Sequence, residues 1–142
     1  MGAIGMNEVM SIPTGFQVCD AMLKAAQTEL VSSGCVCAGK YYTVVSGDVA
    51  AVRAAVEAGR ELAKGTLVDS LVIPNVHPSV APAISACSDV DNIQALGIME
   101  TFSLCAACRA CLAYCRFSFC LCQNRVTAFL ESSGFSRAAT RK

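Results

Sequence analysis

The stretch GKYYTVVSGDVAAVRAAVEAG, residues 39–59, encodes a strand and a helix in direct succession and decides the fold. Residues 41–46 are β-branched and aromatic, as is typical of a strand. Asp48 is suited to begin a helix, because its carboxylate can accept from the first free amides and complements the helix dipole. The helix is then expected to bury one face, which carries Val49, Val52 and Val56.

The sequence on both sides of this stretch predicts the order β-α-β-β-α-β-α. The further elements are strands at 3–11, 29–37 and 67–73, a helix opened by Pro13 and a short helix after Pro78. This order predicts an α+β fold in which helices cover a mostly antiparallel, four-stranded sheet. The first helix is expected to pack through Phe16, Cys19, Leu23 and Ala26.

The chain also repeats itself at an offset of 92 residues. AIGMNEVMSI (3–12) and ALGIMETFSL (95–104) share four identical positions, namely Ala3/Ala95, Gly5/Gly97, Glu8/Glu100 and Ser11/Ser103. The two glutamates are expected to be solvated or to face another subunit. We therefore predict one complete domain over residues 1–91 and the start of a second over 92–142, connected by a polar linker at 88–93.

The second copy loses its resemblance to the first after about residue 108, where the composition also changes. Residues 1–104 hold five Lys/Arg and ten Asp/Glu, a net charge of −5, whereas residues 105–142 hold six and one, a net of +5. A shifted reading frame would produce such a break. We expect an aberrant tail that is disordered over 132–142. The tail lacks the folded basic face that a nucleic-acid partner would need.

The ten cysteines would suggest a disulfide scaffold if the chain were secreted. MGAIGMNEVM has neither the basic start nor the long apolar run of a signal peptide, so we expect a cytoplasmic chain with free or metal-bound thiols. Arg109 and Arg116 interrupt the most apolar stretch and count against insertion into a membrane.

Four segments, in addition, resemble bacterial microcompartment (BMC) shell proteins: DAMLKAA (20–26), residues 39–59, LVDSLVIPNVHPSV (67–80) and LGIMET (96–101). The linked second copy and CVCAGK (35–40) narrow the resemblance to tandem-domain, PduT-like members of the propanediol-utilisation type. The resemblance implies a BMC fold and a structural protein without enzymatic activity. It also implies self-association into trimers or hexamers around a central pore, beside other BMC shell proteins, in the microcompartment shell.

The resemblance further implies a site at this pore. PduT-like members are similar in carrying an iron–sulfur cluster (4Fe–4S) shared between subunits, with one cysteine from each of three chains, for electron transfer across the shell. The matching position is Cys37, and Ala38, Gly39 and Lys40 would line the pore with it. Gly39 can take a positive φ, and Lys40 could balance the charge of a cluster. A half-buried strand cysteine is the alternative for Cys37. Lys24 matches the lysine at the tile edge.

The run CAACRACLAYC, residues 105–115, offers an alternative function. Its spacing is that of a bacterial ferredoxin, so the chain could be a small iron–sulfur electron carrier that uses Cys105, Cys108, Cys111 and Cys115. The repeat, however, places this run on the first helix of the second copy, where spacings of three and four put the thiols on one packed side. Arg116 also follows where such runs usually have proline. A pore tile without metal is a third possibility.

Overall fold

A computed structural model describes residues 2–36, 39–76, 78, 80–85, 95–99, 101–114, 117–122 and 125–130. The first copy forms an antiparallel sheet of four strands in the order β2-β3-β1-β4. Its elements are β1 (Ala3–Val9), α1 (Ile12–Ala25), β2 (Thr28–Val36), β3 (Lys40–Gly47), α2 (Val49–Leu62), β4 (Leu67–Ile73) and α3 (Val80–Ile84). The prediction of an α+β fold with a four-stranded antiparallel sheet is therefore confirmed.

The two long helices begin at side-chain caps that satisfy amides of the first turn. The Ser11 hydroxyl accepts from the Thr14 amide at 3.3 Å, and a proline follows in the first turn of α1. The Asp48 carboxylate accepts from the Ala50 amide at 3.0 Å, so the prediction that Asp48 begins α2 is confirmed. Both caps relieve donors that a helix start otherwise leaves unpaired.

The main core lies where α1 and α2 pack on one face of the sheet. Val52 and Val56 of α2 are buried there, as the sequence predicts. The predicted face of α1 is wrong, because Phe16 is 61% exposed while Gly15, Val18 and Met22 are buried. Gly15 explains the difference: a Cβ at this position would run into the Tyr41 ring, so the glycine face is the one that can approach the sheet closely.

Asn7 is a polar residue buried within this core, and Gly59 makes room for it. The Asn7 amide donates to the Val56 carbonyl at 3.1 Å and contacts the Met22 sulfur at 3.4 Å. A Cβ on Gly59 would run into the Asn7 amide and come within 2.9 Å of the Met22 side chain. The small residue is therefore required by packing, since the amide is held by its hydrogen bond and cannot easily shift.

The second copy contributes a second antiparallel sheet, in the order β5-β7-β6. Its elements are β5 (Ala95–Met99), α4 (Leu104–Tyr114), β6 (Phe117–Cys122) and β7 (Arg125–Leu130). This order corresponds to β1-β3-β2 of the first sheet, so regular structure continues beyond the point where the sequence resemblance ends. The division at residue 92 stays a prediction. The predicted linker at 88–93 and the predicted disorder over 132–142 lie outside the described residues.

A second core forms on the opposite face of the first sheet, where α3 and α4 pack. It contains residues of the sheet and both helices, among them Ile4, Met6, Val44, Leu71, Val80, Ile84, Cys105 and Cys108. The start of the second copy is thus seated on the sheet of the first copy. This packing brings the charged residues of the first sheet to residues 101–109.

Candidate functional site

The turn between β2 and β3 carries the residues that the resemblance assigns to the pore. Gly39 has a φ of +79°, which confirms the expected left-handed conformation, and nothing lies within 4 Å of the position that a Cβ would occupy. Cys37 and Ala38 lie outside the described residues. Cys35, two residues earlier, is exposed at the end of β2. The described part of this turn is therefore open, and the role of Cys37 stays a prediction.

Lys40, at the start of β3, connects this turn to the second copy. Its Nζ lies 2.6 Å from Glu8 Oε1 and donates to the Phe102 carbonyl, also at 2.6 Å. The other carboxylate oxygen of Glu8 accepts from the Leu104 amide at 2.7 Å. Glu8 has an exposed fraction of 0%. Of the two expectations for Glu8, solvation is therefore wrong, and a contact with another subunit stays a prediction. Within the chain Glu8 faces the start of the second copy, whereas Glu100 lies outside the described residues.

Asp69, beside Glu8 in the sheet, makes a second set of contacts to the same segment. The Ser103 hydroxyl donates to Asp69 Oδ2 at 3.0 Å, and Arg109 donates to Asp69 Oδ1 at 3.1 Å and to the Ser70 carbonyl at 2.6 Å. Ser103 also accepts from the Ala106 amide at 3.2 Å and so caps α4. We call the contacts of Glu8, Lys40 and Asp69 with residues 101–109 the inter-copy contact.

The inter-copy contact was not foreseen from the sequence. Asp69 is the only charged residue in the largely apolar strand LVDSLVI, and this was the available signal. An acidic side chain in such a strand needs a donor when it is partly buried. The donors lie 34 and 40 residues further along the chain, so no local pattern could have identified them.

The ferredoxin-like run lies on α4, where Cys105 and Cys108 are buried against the first sheet. Burial raises the pKa of the Cys105 thiol, and the carboxylates of Asp69 and Glu8 raise it further. A raised pKa keeps the thiol protonated, whereas metal binding needs the thiolate. Cys111 is also placed in α4, and Cys115 lies outside the described residues. These positions favour packing as the role of Cys105 and Cys108.

The described residues also limit how a single chain could hold a metal. Within residues 2–36, 39–76 and the later described segments, no group of three or more His, Cys, Asp or Glu side chains could bind a metal ion. Cys37 lies outside the residues to which this finding applies. A turn that carries one cysteine could supply several thiolates to a metal cluster where symmetry brings identical turns together.

The remaining predicted site residue is Lys24, which the resemblance assigns to the tile edge. Lys24 lies on the surface of α1 and pairs with Asp20 at 2.7 Å, with side chains 75% and 61% exposed. It is accessible, and its role at a tile edge stays a prediction. The single histidine, His77, lies outside the described residues. In the part of the chain that the structure describes, no helix is both long and apolar enough to cross a membrane.

Comparisons with known proteins agree with the fold described above. The family model of the BMC domain matches residues 3–76. The chain is 50% identical over 112 residues to the bacterial microcompartment shell protein PduT of Citrobacter freundii, a match that covers 76% of this chain and 61% of that protein. It is 40% identical over 79 residues to the shell protein EutM of Salmonella typhimurium, which covers 54% of this chain and 82% of that protein.

A solved structure is similar over more of the chain. The crystal structure of a microcompartment protein from Desulfitobacterium hafniense matches with a TM-score of 0.75 at 39% identity, over 90% of this chain and 76% of that chain. This match includes a large part of the second copy. The chain spans only 61% of the length of the PduT relative, so that protein extends beyond what is aligned here.

Proposed function

Because this chain belongs to the BMC-domain family, we propose that it is a structural tile of a bacterial microcompartment shell, built from two linked copies of the BMC domain. Three chains would close into a ring of six domains around a central pore. The relatives PduT and EutM are both named as microcompartment shell proteins. A tile of this kind works by assembly and permeability and needs no catalytic group.

The inter-copy contact is the single observation that carries this proposal. The start of the second copy is seated on the sheet of the first through Glu8, Lys40 and Asp69, so the contact joins two different surfaces. Such a head-to-tail contact between similar units generates a ring when the rotation closes. The composition, 54% hydrophobic and 15% charged, also favours an oligomer, because such a chain has more apolar surface than its own core can bury.

Electron microscopy and native mass spectrometry of the purified full-length chain test the tile. We expect ring-shaped particles of three chains that assemble into flat sheets at higher protein concentration. Rings of six chains would mean that the second copy does not occupy a place in the ring. A chain that stays monomeric at high concentration, with no ring or sheet under any condition, would contradict the proposal.

We further propose that Cys37 of each chain meets its counterparts at the ring axis and holds an iron–sulfur cluster. Soft thiolates suit such a cluster, and three of them would leave one corner of a cubane open. The open turn at Gly39 gives the space for close approach of identical chains. Lys40 is engaged with Glu8, so it would anchor the turn rather than neutralise the cluster. When bound, the cluster would provide one-electron transfer across the shell.

Anaerobic purification, visible absorption and iron counting test the cluster. We expect the Cys37→Ala variant to lose colour and iron but to keep its assembly. The matched control is Cys35→Ala, at an exposed thiol two residues away, which should keep both. If the double variant Cys108→Ala, Cys111→Ala loses the colour instead, the chain is the electron carrier that the ferredoxin spacing suggests. A colourless wild-type protein would leave a tile without metal.

A further inference from the structure

Two thiols of the second copy lie in the first two turns of α4. Cys105 and Cys108 stand three residues apart, directly after the Ser103 hydroxyl that accepts from the Ala106 amide at 3.2 Å. Residues at this spacing share one side of a helix, with about 5–6 Å between their Cβ atoms. A Cys-x-x-Cys pair at the start of a helix is also the arrangement of a dithiol that can be oxidised to a disulfide. The proposed tile uses neither thiol.

The packing of α4 on the first sheet shields both thiols from solvent. Cys105 and Cys108 have exposed fractions of 0% and 4% and belong to the second core. The cavity beside Cys108, lined by Ile4, Val80 and other apolar side chains, has a volume of about 10 Å³. A cavity of this size has room for no more than one water molecule. A dissolved oxidant therefore cannot reach the pair while α4 is packed on the sheet.

The charges around Cys105 suppress its reactivity in the packed state. Burial raises the pKa of the Cys105 thiol most, the carboxylates of Asp69 and Glu8 raise it further, and Arg109 lowers it. The thiolate is the species that attacks a disulfide. Release of residues 101–109 from the sheet would remove the burial and both carboxylates. Arg109 would stay, because it lies one turn from Cys105 on the same helix, whose start also favours a thiolate.

We propose that Cys105 and Cys108 are a redox pair whose oxidation is coupled to the inter-copy contact. The oxidant is a low-molecular-weight disulfide. One protein thiolate attacks this disulfide and releases one small thiol, and the second protein thiolate then attacks the mixed disulfide and releases the other. The pair loses two electrons and two protons as its S–S bond forms, and the small disulfide gains them as its own S–S bond breaks.

The internal disulfide and the packed contact oppose each other. A disulfide brings the two Cβ atoms to about 3.5–4.5 Å, closer than their spacing on a helix, so the first turns of α4 have to change shape. Both residues are enclosed by the second core, where close packing leaves little room for such a change. The packed contact therefore stabilises the dithiol. By linkage, the disulfide favours the released segment by the same factor.

A redox titration of the full-length chain measures this coupling. The protein is equilibrated anaerobically with mixtures of reduced and oxidised glutathione, and the remaining thiols are alkylated. Digestion with trypsin and Glu-C protease yields residues 101–109, which contain only these two cysteines. Glu8→Ala is expected to weaken the contact about a hundredfold. Because a tenfold change corresponds to about 30 mV for two electrons, the reduction potential of the pair should fall by about 60 mV.

Two further variants complete the titration. The matched control is Glu57→Ala, which removes an exposed carboxylate paired with Arg60 and should keep the wild-type potential. Asp69→Asn weakens the contact independently of Glu8, since it removes the charge that Arg109 pairs with at 3.1 Å. Its potential should also be lower than that of the wild-type chain. Circular dichroism checks that each variant is folded.

Hydrogen exchange tests the coupling in the opposite direction. The Leu104 amide donates to Glu8 at 2.7 Å in the packed state, so it should exchange faster in the oxidised wild-type chain than in the reduced one. Cys108→Ser cannot form the internal disulfide. Its Leu104 amide should therefore exchange at the same rate under oxidising and reducing conditions.

Each contrary outcome overturns the redox pair without affecting the tile. Equal potentials in the wild-type chain and in the folded Glu8 and Asp69 variants would refute the coupling, and so would unchanged exchange at Leu104 after oxidation. A disulfide from residues 101–109 to another cysteine, or iron held by Cys105 and Cys108, would refute the pair itself. Ring formation is measured on the reduced chain, so a chain that forms no rings would contradict the tile alone.

Discussion

Replacing Glu8 by alanine is expected to release residues 101–109 from the first sheet. Removing one partner of a buried ion pair costs about 3–5 kcal/mol, because the other charge loses its compensation. The Lys40 ammonium would keep the Phe102 carbonyl at 2.6 Å and is itself 13% exposed, so the cost should lie near the lower value. The amide of Leu104 would also lose its acceptor. A loss of about 3 kcal/mol corresponds to a factor of roughly one hundred in the equilibrium between the packed and the released state of residues 101–109.

Hydrogen exchange at the Leu104 amide measures this equilibrium locally. We expect exchange about a hundredfold faster in Glu8→Ala, and a partial return when Lys40→Met removes the unpaired charge. The control is Glu57→Ala, which breaks an exposed pair with Arg60 at 3.2 Å and should change stability by less than about 1 kcal/mol. Exchange in Glu8→Ala within twofold of the wild-type rate would refute the reasoning that Glu8 holds the second copy.

Three further perturbations test the packing, the helix caps and the buried thiol. Gly59→Ala should lower the free energy of unfolding by about 1–3 kcal/mol in urea titrations, whereas Gly65→Ala, where nothing lies within 4 Å of the added Cβ, should change it little. Asp48→Ala removes the cap of α2 and should cost about 1 kcal/mol in the same assay, while an unchanged midpoint would contradict the capping role. Burial raises the pKa of the Cys105 thiol, so at pH 8 it should resist maleimide while exposed Cys35 reacts, as read by mass spectrometry of the labelled peptides. Equal labelling of the two thiols would mean that α4 is not seated on the sheet.

Most of the first copy could be predicted because its signals are local. The strand at 67–73 has the bounds that its apolar run indicates, and Asp48 begins α2 because a cap needs only the next few residues. The valine stripe of α2 gives the correct buried face, since the remaining positions of that helix are largely charged or small. In these elements one periodic pattern corresponds to one packed surface.

The face of α1 could not be predicted in this way, because the helix is apolar on more than one side. Phe16 and Leu23 satisfy the same three-to-four spacing as Val18 and Met22, and periodicity alone cannot rank two apolar faces. The decision comes from Gly15, whose missing side chain lets the helix approach the sheet. Hydrophobicity scales assign glycine no such importance, so the deciding residue carried no signal of its own.

The inter-copy contact was beyond prediction for a different reason. Glu8 is a buried carboxylate whose donors come from Lys40 and from the start of the second copy, 32 and 96 residues away. The repeat predicted that a second copy begins near residue 92, but it contained no information on which surface of the first copy would receive it. Burial of a charge depends on partners that only the folded chain brings together.

Covalent linkage of two unlike copies has a consequence for symmetry. Around a ring closed by head-to-tail contacts, identical groups would recur every third of a turn instead of every sixth, and acidic and basic halves would alternate. Each residue near the axis would then occur three times. Residues of the first copy and the equivalent residues of the second copy would form two separate sets, and each set could change in sequence without the other. In such a ring, one class of positions could carry the cluster proposed at Cys37 while the equivalent positions of the other copy carry none.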